Sequence, residues 1–146
     1  APANFVEGLL FPGYGPEDAN PDLGDSAITE TMGIGGFAMG ASPAITQFVG
    51  GTVSDAINYT RSMYSITTAE NNNYSLPPLD FKGTATGIDI LKVLETGIIP
   101  VINTGIAHKV PGIGQIGAGI VHPPRACFVK ALEAFGQCYG DGNKGE

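Results

Sequence analysis

The chain has 146 residues, of which 42% are hydrophobic and only 14% charged, which excludes a disordered chain and is typical of one domain with its own core. Its formal net charge of −7, with seven scattered basic residues, argues against nucleic-acid and anionic-membrane partners. The low charged fraction, below the roughly 25% of an average domain, predicts that other protein covers part of the surface.

The first part of the chain is expected to be irregular, because proline and glycine interrupt it repeatedly. Residues 5–11 could hold a short strand. A polar loop at 22–31 then leads to three glycines that predict close-packed backbone, Gly33, Gly35 and Gly36. Ser42 followed by Pro43 predicts the start of a helix that would end near Gly50.

Two further helices are predicted in the middle of the chain. The first covers about 54–69, where apolar residues follow helical spacing, and the asparagine run at 71–73 ends it. Residues 76–81 are predicted to be extended, because Pro77 and Pro78 restrict the backbone. The second helix covers 86–97, with Gly97 as its stop.

The last third of the chain holds the best candidate for a buried strand, the β-branched run at 98–103. A long glycine-rich loop is predicted at 105–119. Pro123 and Pro124 then open an amphipathic helix, and the polar tail at 141–146 is expected to be flexible. These elements predict an α+β fold, with several short helices around a small sheet, in one domain at residues 1–140.

The predicted loop contains the pattern G-x-G-x-x-G at 112–117, which in dinucleotide-binding folds joins a strand directly to a helix. Here Pro111 and other residues separate it from the predicted strand, and residues 118–121 look extended rather than helical. No acidic residue follows at the expected distance. Two other interpretations remain open, close backbone packing and a nest of N–H groups that binds a small anion.

Both cysteines, Cys127 and Cys138, fall in the predicted last helix, about 16 Å apart along it at roughly 1.5 Å per residue. A disulfide needs Cα atoms within about 7 Å, so we expect free thiols unless the helix breaks at Gly136. Free thiols predict a reducing, cytoplasmic location. The chain starts at Ala1 without an initiator Met, as a trimmed product, a fragment or a signal-peptidase product would.

Long motifs are distributed over nearly the whole chain. They are the segments 21–31 (PDLGDSAITET), 33–39 (GIGGFAM), 42–45 (SPAI), 50–52 (GGT), 103–109 (NTGIAHK), 112–119 (GIGQIGAG) and 123–128 (PPRACF). In combination these motifs resemble the YlbE-like family, the AllG-type subunits of oxamate carbamoyltransferase. Members of that family are much longer, and this chain resembles only their C-terminal third.

The resemblance implies a subunit, or a fragment of one, in an enzyme that transfers a carbamoyl group between oxamate and phosphate during anaerobic allantoin and purine breakdown. It implies an oligomeric assembly with an FdrA-type partner subunit and with the remainder of a longer chain. The implied substrate is a small anion, either carbamoyl phosphate or oxamate, and no cofactor is expected. The resemblance carries over no catalytic residues, so the roles that follow come from side-chain chemistry alone.

Carbamoyl transfer needs a donor that polarises the carbonyl group and cationic or N–H groups that bind the anion. His108 is predicted as that donor or as a general acid–base, and Lys109 as an anion ligand. The alternative is a hydrogen-bonded loop histidine beside a solvated lysine. Arg125, in the first turn of the last helix, could bind an anion together with the helix end, or form an ordinary salt bridge.

Further candidates are polar residues near glycines. Asp25 and Glu30 could orient the cations or position the substrate nitrogen, although Asp25 could equally cap a helix. Asn103 and Thr104 could bind carboxylate oxygens, or close a turn. The predicted anion site is completed by four glycines, Gly112, Gly114, Gly117 and Gly119. The histidine spacing matches no recognisable metal site.

Three functions therefore compete. The first is an enzyme subunit that binds its substrate in the region between His108 and Arg125. The second is a non-catalytic assembly module of a multi-subunit metabolic enzyme, which the apolar composition favours. The third is a nucleotide-binding domain that uses the glycine-rich loop, which the sequence around that loop disfavours.

Overall fold

The computed structural model describes residues 1–140 and has short helices packed around small antiparallel sheets. Its strands are β1 (Glu7–Leu10), β2 (Thr67–Leu76), β3 (Lys82–Ile88), β4 (Ile102–Ala107) and β5 (Gln115–Val121). Its α-helices are α1 (Asp25–Thr29), α2 (Thr46–Val49), α3 (Val53–Met63), α4 (Ile90–Thr96) and α5 (Arg125–Tyr139). Short 3-10 turns fill much of the remainder. The predicted α+β class is confirmed, and the predicted tail at 141–146 lies outside the described residues.

The larger sheet has the order β1-β5-β4, with β5 antiparallel to both neighbours. Glycines in β5 allow β1 to lie very close, since a side chain at Gly117 would overlap the carbonyl oxygen of Leu9, and one at Gly119 that of Glu7. The predicted loop at 105–119 is therefore wrong in its extent. Most of it pairs in β4 and β5, and only residues 108–114 connect the two strands.

The predicted strand at 98–103 lies too early in the chain, because only its last two residues belong to β4. Pro100 has no N–H group to donate to a neighbouring strand. The N–H of Val101 is directed to the sulfur of Met63 at 3.4 Å rather than to another strand. Strand pairing therefore begins only at Ile102, opposite Val121.

The second sheet is a hairpin of β2 and β3, which the sequence interpretation missed. The predicted helix at 54–69 is too long, because α3 ends at Met63 and β2 begins at Thr67. The predicted helix at 86–97 begins only at Ile90, because Asp89 caps the N–H groups of Leu91 and Lys92. Residues 76–81 are not extended, since Pro77–Leu79 forms a 3-10 turn and two left-handed residues follow it.

Other local predictions are confirmed. A strand lies within 5–11, α2 ends before Gly50, α4 stops at Gly97 with φ 71°, and α5 follows Pro124. Both cysteines lie in α5 and are free thiols. Among residues 1–140 no helix is long and apolar enough to cross a membrane.

One hydrophobic core holds these helices and strands together. Its buried members come from α3, α4, α5, the strands and the 3-10 turns after α1, and include Phe37, Met39, Ala56, Met63, Ile66, Ala85, Val93, Val101, Ile102, Val121 and Phe128. Phe37 and Met39 anchor the chain that follows the three glycines at 33–36. That anchoring fixes the glycines against the first residues of β4, where the candidate site lies.

Candidate functional site

Glu30 is a buried carboxylate beside the start of β4, with only 6% of its surface exposed. Its Oε2 atom accepts two backbone hydrogen bonds, from the N–H of Gly36 at 2.8 Å and from the N–H of Asn103 at 2.9 Å. No hydrogen bond to its Oε1 atom is found within residues 1–140. Two amides thus fix the carboxyl group while one oxygen stays available.

Burial raises the pKa of Glu30 from 4.5 to about 7, because the charged form loses its hydration. The hydrogen bonds from Gly36 and Asn103 act in the opposite direction, and the nearby charge of Asp22 raises the pKa slightly further. A carboxyl group with a pKa near neutrality can both release and accept a proton under physiological conditions. General acid–base catalysis requires a pKa in this range.

A glycine segment, residues 33–36, lies directly over this carboxyl group. A side chain at Gly35 would overlap the Oε1 and Cδ atoms of Glu30, and one at Gly36 would overlap the carbonyl oxygen of Val101. Gly35 also has φ +56°, a conformation that residues with a side chain rarely adopt. The bare backbone at Gly35 is therefore what separates the Glu30 carboxyl group from the surface.

Two cavities meet at this segment and share Gly35 and Ala38. The first, here called the Asn103 lobe, has a volume of about 320 Å³. It is lined by Gly35, Ala38, Met39, Ser42, Ala44, Ile45, Gln47, Phe48 and Asn103. Asn103, Ser42 and Gln47 supply neutral hydrogen-bonding side chains to an otherwise apolar wall. The lobe can therefore hold a small polar molecule against Gly35 and Asn103, the two lining residues that contact Glu30.

The second cavity, here called the Thr84 lobe, has a volume of about 450 Å³ and lies between the glycine segment and the β2–β3 hairpin. It is lined by Gly33, Ile34, Gly35, Ala38, Ala41, Asn73, Tyr74, Ser75 and Thr84. The hairpin is tied to the segment before Gly33, since Thr86 donates to the carbonyl of Thr31 and Asn71 to that of Met32. These bonds fix the width of the lobe.

The structure brings together two of the residues selected from the sequence, Glu30 and Asn103, through one hydrogen bond. His108 and Lys109 lie elsewhere, at the far end of β4. The Nδ1 atom of His108 accepts the N–H of Val110 at 2.8 Å, and its Nε2 atom lies 3.9 Å from Asp18. Lys109 donates to the carbonyl groups of Glu17 and Asp18. Both residues thus hold the 3-10 turn at Pro16–Asp18.

His108 and Arg125 cannot form one anion site. Ala107 pairs with Gln115 at one end of the β4–β5 pair, and Ile102 with Val121 at the other. Five residue steps at roughly 3.4 Å place these ends about 17 Å apart. His108 follows the first end and Arg125 the second, so the predicted combination of the two is wrong.

Asp25 is exposed as the first residue of α1 and lies near a separate cavity of about 320 Å³ that Thr104, Gly105 and Gly114 also line. Gly112 and Gly114 are turn residues, with φ 89° and 91°. The G-x-G-x-x-G pattern thus lies in a hairpin and precedes no helix, since α5 begins only at Arg125. The nucleotide-binding hypothesis has no structural basis in this segment.

The sequence analysis did not single out Thr84 or Asn71, and it did not connect Gly35 with Glu30. The glycine cluster predicted close packing of the backbone. Only the tertiary structure shows that Glu30 packs against it. Within the described part of the chain, no group of three His, Cys, Asp or Glu side chains is arranged to hold a metal ion.

No protein-family model matches the chain. It is 58% identical over 139 residues to "Uncharacterized protein YahG" and 54% identical over 143 residues to "Oxamate carbamoyltransferase subunit AllG", both from Escherichia coli (strain K12). These regions cover 95% and 97% of this chain, but only 29% and 34% of the two relatives. The chain thus spans about a third of the length of the curated relatives it matches.

A solved structure shares the fold. It is the crystal structure of a conserved protein of unknown function from Enterococcus faecalis V583, which is 62% identical, with a TM-score of 0.88. The match covers 92% of this chain and 32% of that one. The chain is therefore a homologue of about a third of each of these longer proteins.

Proposed function

We propose that this chain is part of an AllG-like subunit in an oxamate carbamoyltransferase-type enzyme, and that Glu30 handles the proton of the transfer step. The observation that carries the proposal is the buried Glu30 carboxyl group, held by two amides, with a pKa of about 7 beside the Asn103 lobe. The similarity to AllG suggests the reaction class. In this proposal residues 1–140 form one domain of a longer chain.

The chemistry needs a proton acceptor near a small polar pocket. When the nitrogen of oxamate attacks the carbonyl carbon of carbamoyl phosphate, a new C–N bond forms. The C–O bond to phosphate breaks, and phosphate leaves with the electron pair. The attacking nitrogen loses one proton, which the ionised form of Glu30 accepts. In the reverse direction the protonated form returns that proton to the nitrogen.

The neighbours of Glu30 suit this role. The amides of Gly36 and Asn103 hold Oε2, so the carboxyl group keeps its orientation in both protonation states. Met39, Ile45 and Phe48 give the Asn103 lobe an apolar wall, against which the nonpolar part of a small substrate can pack. The Asn103 side chain can orient the substrate through a carbonyl or amide group. An anion ligand is left to other parts of the assembled enzyme, because none of the cationic side chains among residues 1–140 lines this lobe.

The test is Glu30→Gln in the complete gene product, assembled with its partner subunits. Glutamine keeps a carbonyl oxygen for the two amides but cannot accept the proton. We expect kcat to fall by roughly 10²- to 10⁴-fold, the usual contribution of a general acid–base, while substrate binding changes little. Glu95→Gln, an exposed change on α4, is the matched control. Full turnover in Glu30→Gln would refute the role of Glu30.

A second candidate function is a non-catalytic assembly module, with the chemistry in a partner chain. Large apolar side chains along the edge strand β1 favour it: Phe5, Leu9 and Phe11 are 58%, 49% and 48% exposed. In that case, changing these residues to Ser disrupts the complex, whereas Glu30→Gln leaves turnover intact. Candidate partners are an FdrA-type subunit, the remainder of the chain or further copies. We place the assembly in the cytoplasm, because both thiols are free.

A further inference from the structure

We propose that the open edge of β1 takes up an extended segment from the remainder of the longer chain, which pairs with β1 as an additional strand. The segment would also fill the slot beside this edge, a cavity of about 420 Å³ between β1 and the 3-10 turn at Pro16–Asp18. This inference rests on the part of the proposed function in which residues 1–140 form one domain of a longer chain. It adds the surface through which the two parts of that chain meet.

The outer edge of β1 carries backbone groups without partners. The N–H of Phe11 donates to Ile116 in β5 at 2.8 Å, so the alternation of an antiparallel pair directs the backbone groups of Leu9 towards β5 as well. The N–H and C=O groups of Gly8 and Leu10 therefore point away from β5. No hydrogen bond to these groups is found among residues 1–140. They are the groups with which a further strand would pair.

The edge is held in place at both ends. The side chain of Asn4 donates to the carbonyl group of His122 at 2.9 Å, and the backbone carbonyl of Asn4 accepts the N–H of Asp22 at 3.0 Å. At the other end, the N–H of Tyr14 donates to the carbonyl of Phe11 at 3.2 Å, in the turn that leaves β1. The stretch between these ends is thus fixed before any segment binds, which lowers the entropic cost of binding.

The slot beside this edge is largely apolar. Its apolar lining residues are Phe5, Val6, Leu10, Pro16, Ala19 and Ile106. The charged lining residue among residues 1–140 is Glu7, which is exposed. An apolar side chain of the incoming segment can fill the slot, while the backbone of that segment pairs with Gly8 and Leu10. Because these two residues repeat the same donor and acceptor at the spacing of a strand, the edge matches an extended peptide.

The size of this surface favours a tethered segment over a separate partner. The four residues of β1 give an edge about 14 Å long, at roughly 3.4 Å per residue. Pairing along it buries on the order of a few hundred Å², whereas stable complexes of separate proteins bury about 1,200–2,000 Å². A segment of the same chain binds at an effective concentration of up to about millimolar, so a small contact is sufficient. About two-thirds of the AllG relative lies outside the region matched here, and a chain of that length can supply the segment.

The test is residue-resolved hydrogen exchange of the complete gene product without its partner subunits. We expect the amides of Gly8 and Leu10 to exchange roughly 10²-fold or more slowly than unprotected amides, as those of Leu9 and Phe11 do through β5. Exchange of Gly8 and Leu10 at the unprotected rate, beside protected Leu9 and Phe11, would overturn the inference. So would protection that grows with protein concentration or needs a partner subunit, because a second copy or another protein would then occupy the edge.

Leu10→Asp places a charge in the slot and should release the segment. We expect the Gly8 amide to exchange roughly tenfold faster or more in this variant, with the Leu9 amide nearly unchanged. Leu23→Asp makes the same change at a residue that is 70% exposed and should leave both rates as they are. An equal rate for Gly8 in the two variants would argue against a segment in the slot.

A photo-crosslinking residue locates the occupant. In the complete gene product, p-benzoylphenylalanine in place of Phe5 should crosslink within one chain to a peptide outside these 146 residues. The same group in place of Phe81, which is 71% exposed, is the control and should not. Crosslinks between two chains, or equal yields at the two positions, refute the inference. Turnover of Glu30→Gln tests the proposed function separately, because rapid exchange at Gly8 would remove this inference and leave the role of Glu30 standing.

Discussion

The carboxyl group of Glu30 occupies the space in which a side chain at Gly35 would begin. The two residues are five positions apart, and the 3-10 turn at Glu30–Met32 and the left-handed Gly33 bring them together. The contact explains why a glycine stands at position 35 and places the carboxyl group directly behind a residue that lines both cavities.

Gly35→Ala should destabilise the protein by roughly 3 kcal/mol or more, because the new methyl group adds a clash with Glu30 to the strain of a positive φ. The measurement is the free energy of unfolding in urea. Gly13→Ala is the matched control, since Gly13 has φ +93° with nothing near its missing side chain. It should cost only the backbone strain, roughly 1–2 kcal/mol. Equal losses in both variants would contradict the close contact.

The protonation of Glu30 should make stability fall as pH rises. In the unfolded chain the carboxyl group ionises near its usual pKa of 4.5, whereas the folded protein keeps the proton up to a pKa of about 7. Between these values the unfolded state binds fewer protons, so the free energy of unfolding decreases with pH and becomes constant above about 7. The full contribution is at most about 3.5 kcal/mol, at about 1.4 kcal/mol for each pKa unit.

The pH effect is best measured as a difference between the wild-type protein and Glu30→Gln in urea unfolding from about pH 4 to 8. Glutamine does not ionise, so the variant should gain stability relative to the wild type as pH rises. Asp55 has the opposite dependence, since the hydroxyl group of Thr52 lowers its pKa and its contribution is lost as pH falls. That contribution is present in both proteins and cancels. A difference that does not change with pH would rule out the raised pKa.

Asn71→Ala should destabilise the β2–β3 hairpin by roughly 2–3 kcal/mol, because the three hydrogen bonds of this side chain are lost. Asn72→Ala, one position along on an exposed site, should leave the stability of the hairpin nearly unchanged. Chemical denaturation measures the free energy of unfolding of both variants. Similar losses for the two alanine variants would argue that the bulge does not depend on Asn71.

Gly119→Ala should lower stability by roughly 2 kcal/mol or more and release β1, because the added methyl group would overlap the carbonyl oxygen of Glu7. Hydrogen exchange of the β1 amides should then accelerate. Oxamate should bind to the folded variant as it does to the wild type, because the role of Gly119 in this fold is to pack against the backbone of β1. A selective loss of ligand affinity, without faster exchange in β1, would instead favour the predicted anion site at Gly119.

The local sequence was sufficient to predict helix boundaries where glycine or proline stands at the boundary. Gly97 ends α4 and the two prolines precede α5, as predicted, because capping and ring constraints act within one helical turn. The sequence also singled out Glu30 and Asn103 as candidates, and both lie at the site. It did not reveal β2, whose asparagine run has low strand propensity but is held by pairing with β3 and by Asn71.

The tertiary structure alone decided which of the candidate residues lie together. His108 and Arg125 are 17 positions apart in the sequence, yet an antiparallel strand pair sends them to opposite ends of the sheet. Glu30 has an ordinary carboxyl group in the sequence, and its pKa rises mainly because the folded chain buries it. Spacing along a chain determines contacts within a few residues. Desolvation and strand register depend on residues far apart in the sequence, and folding alone brings those together.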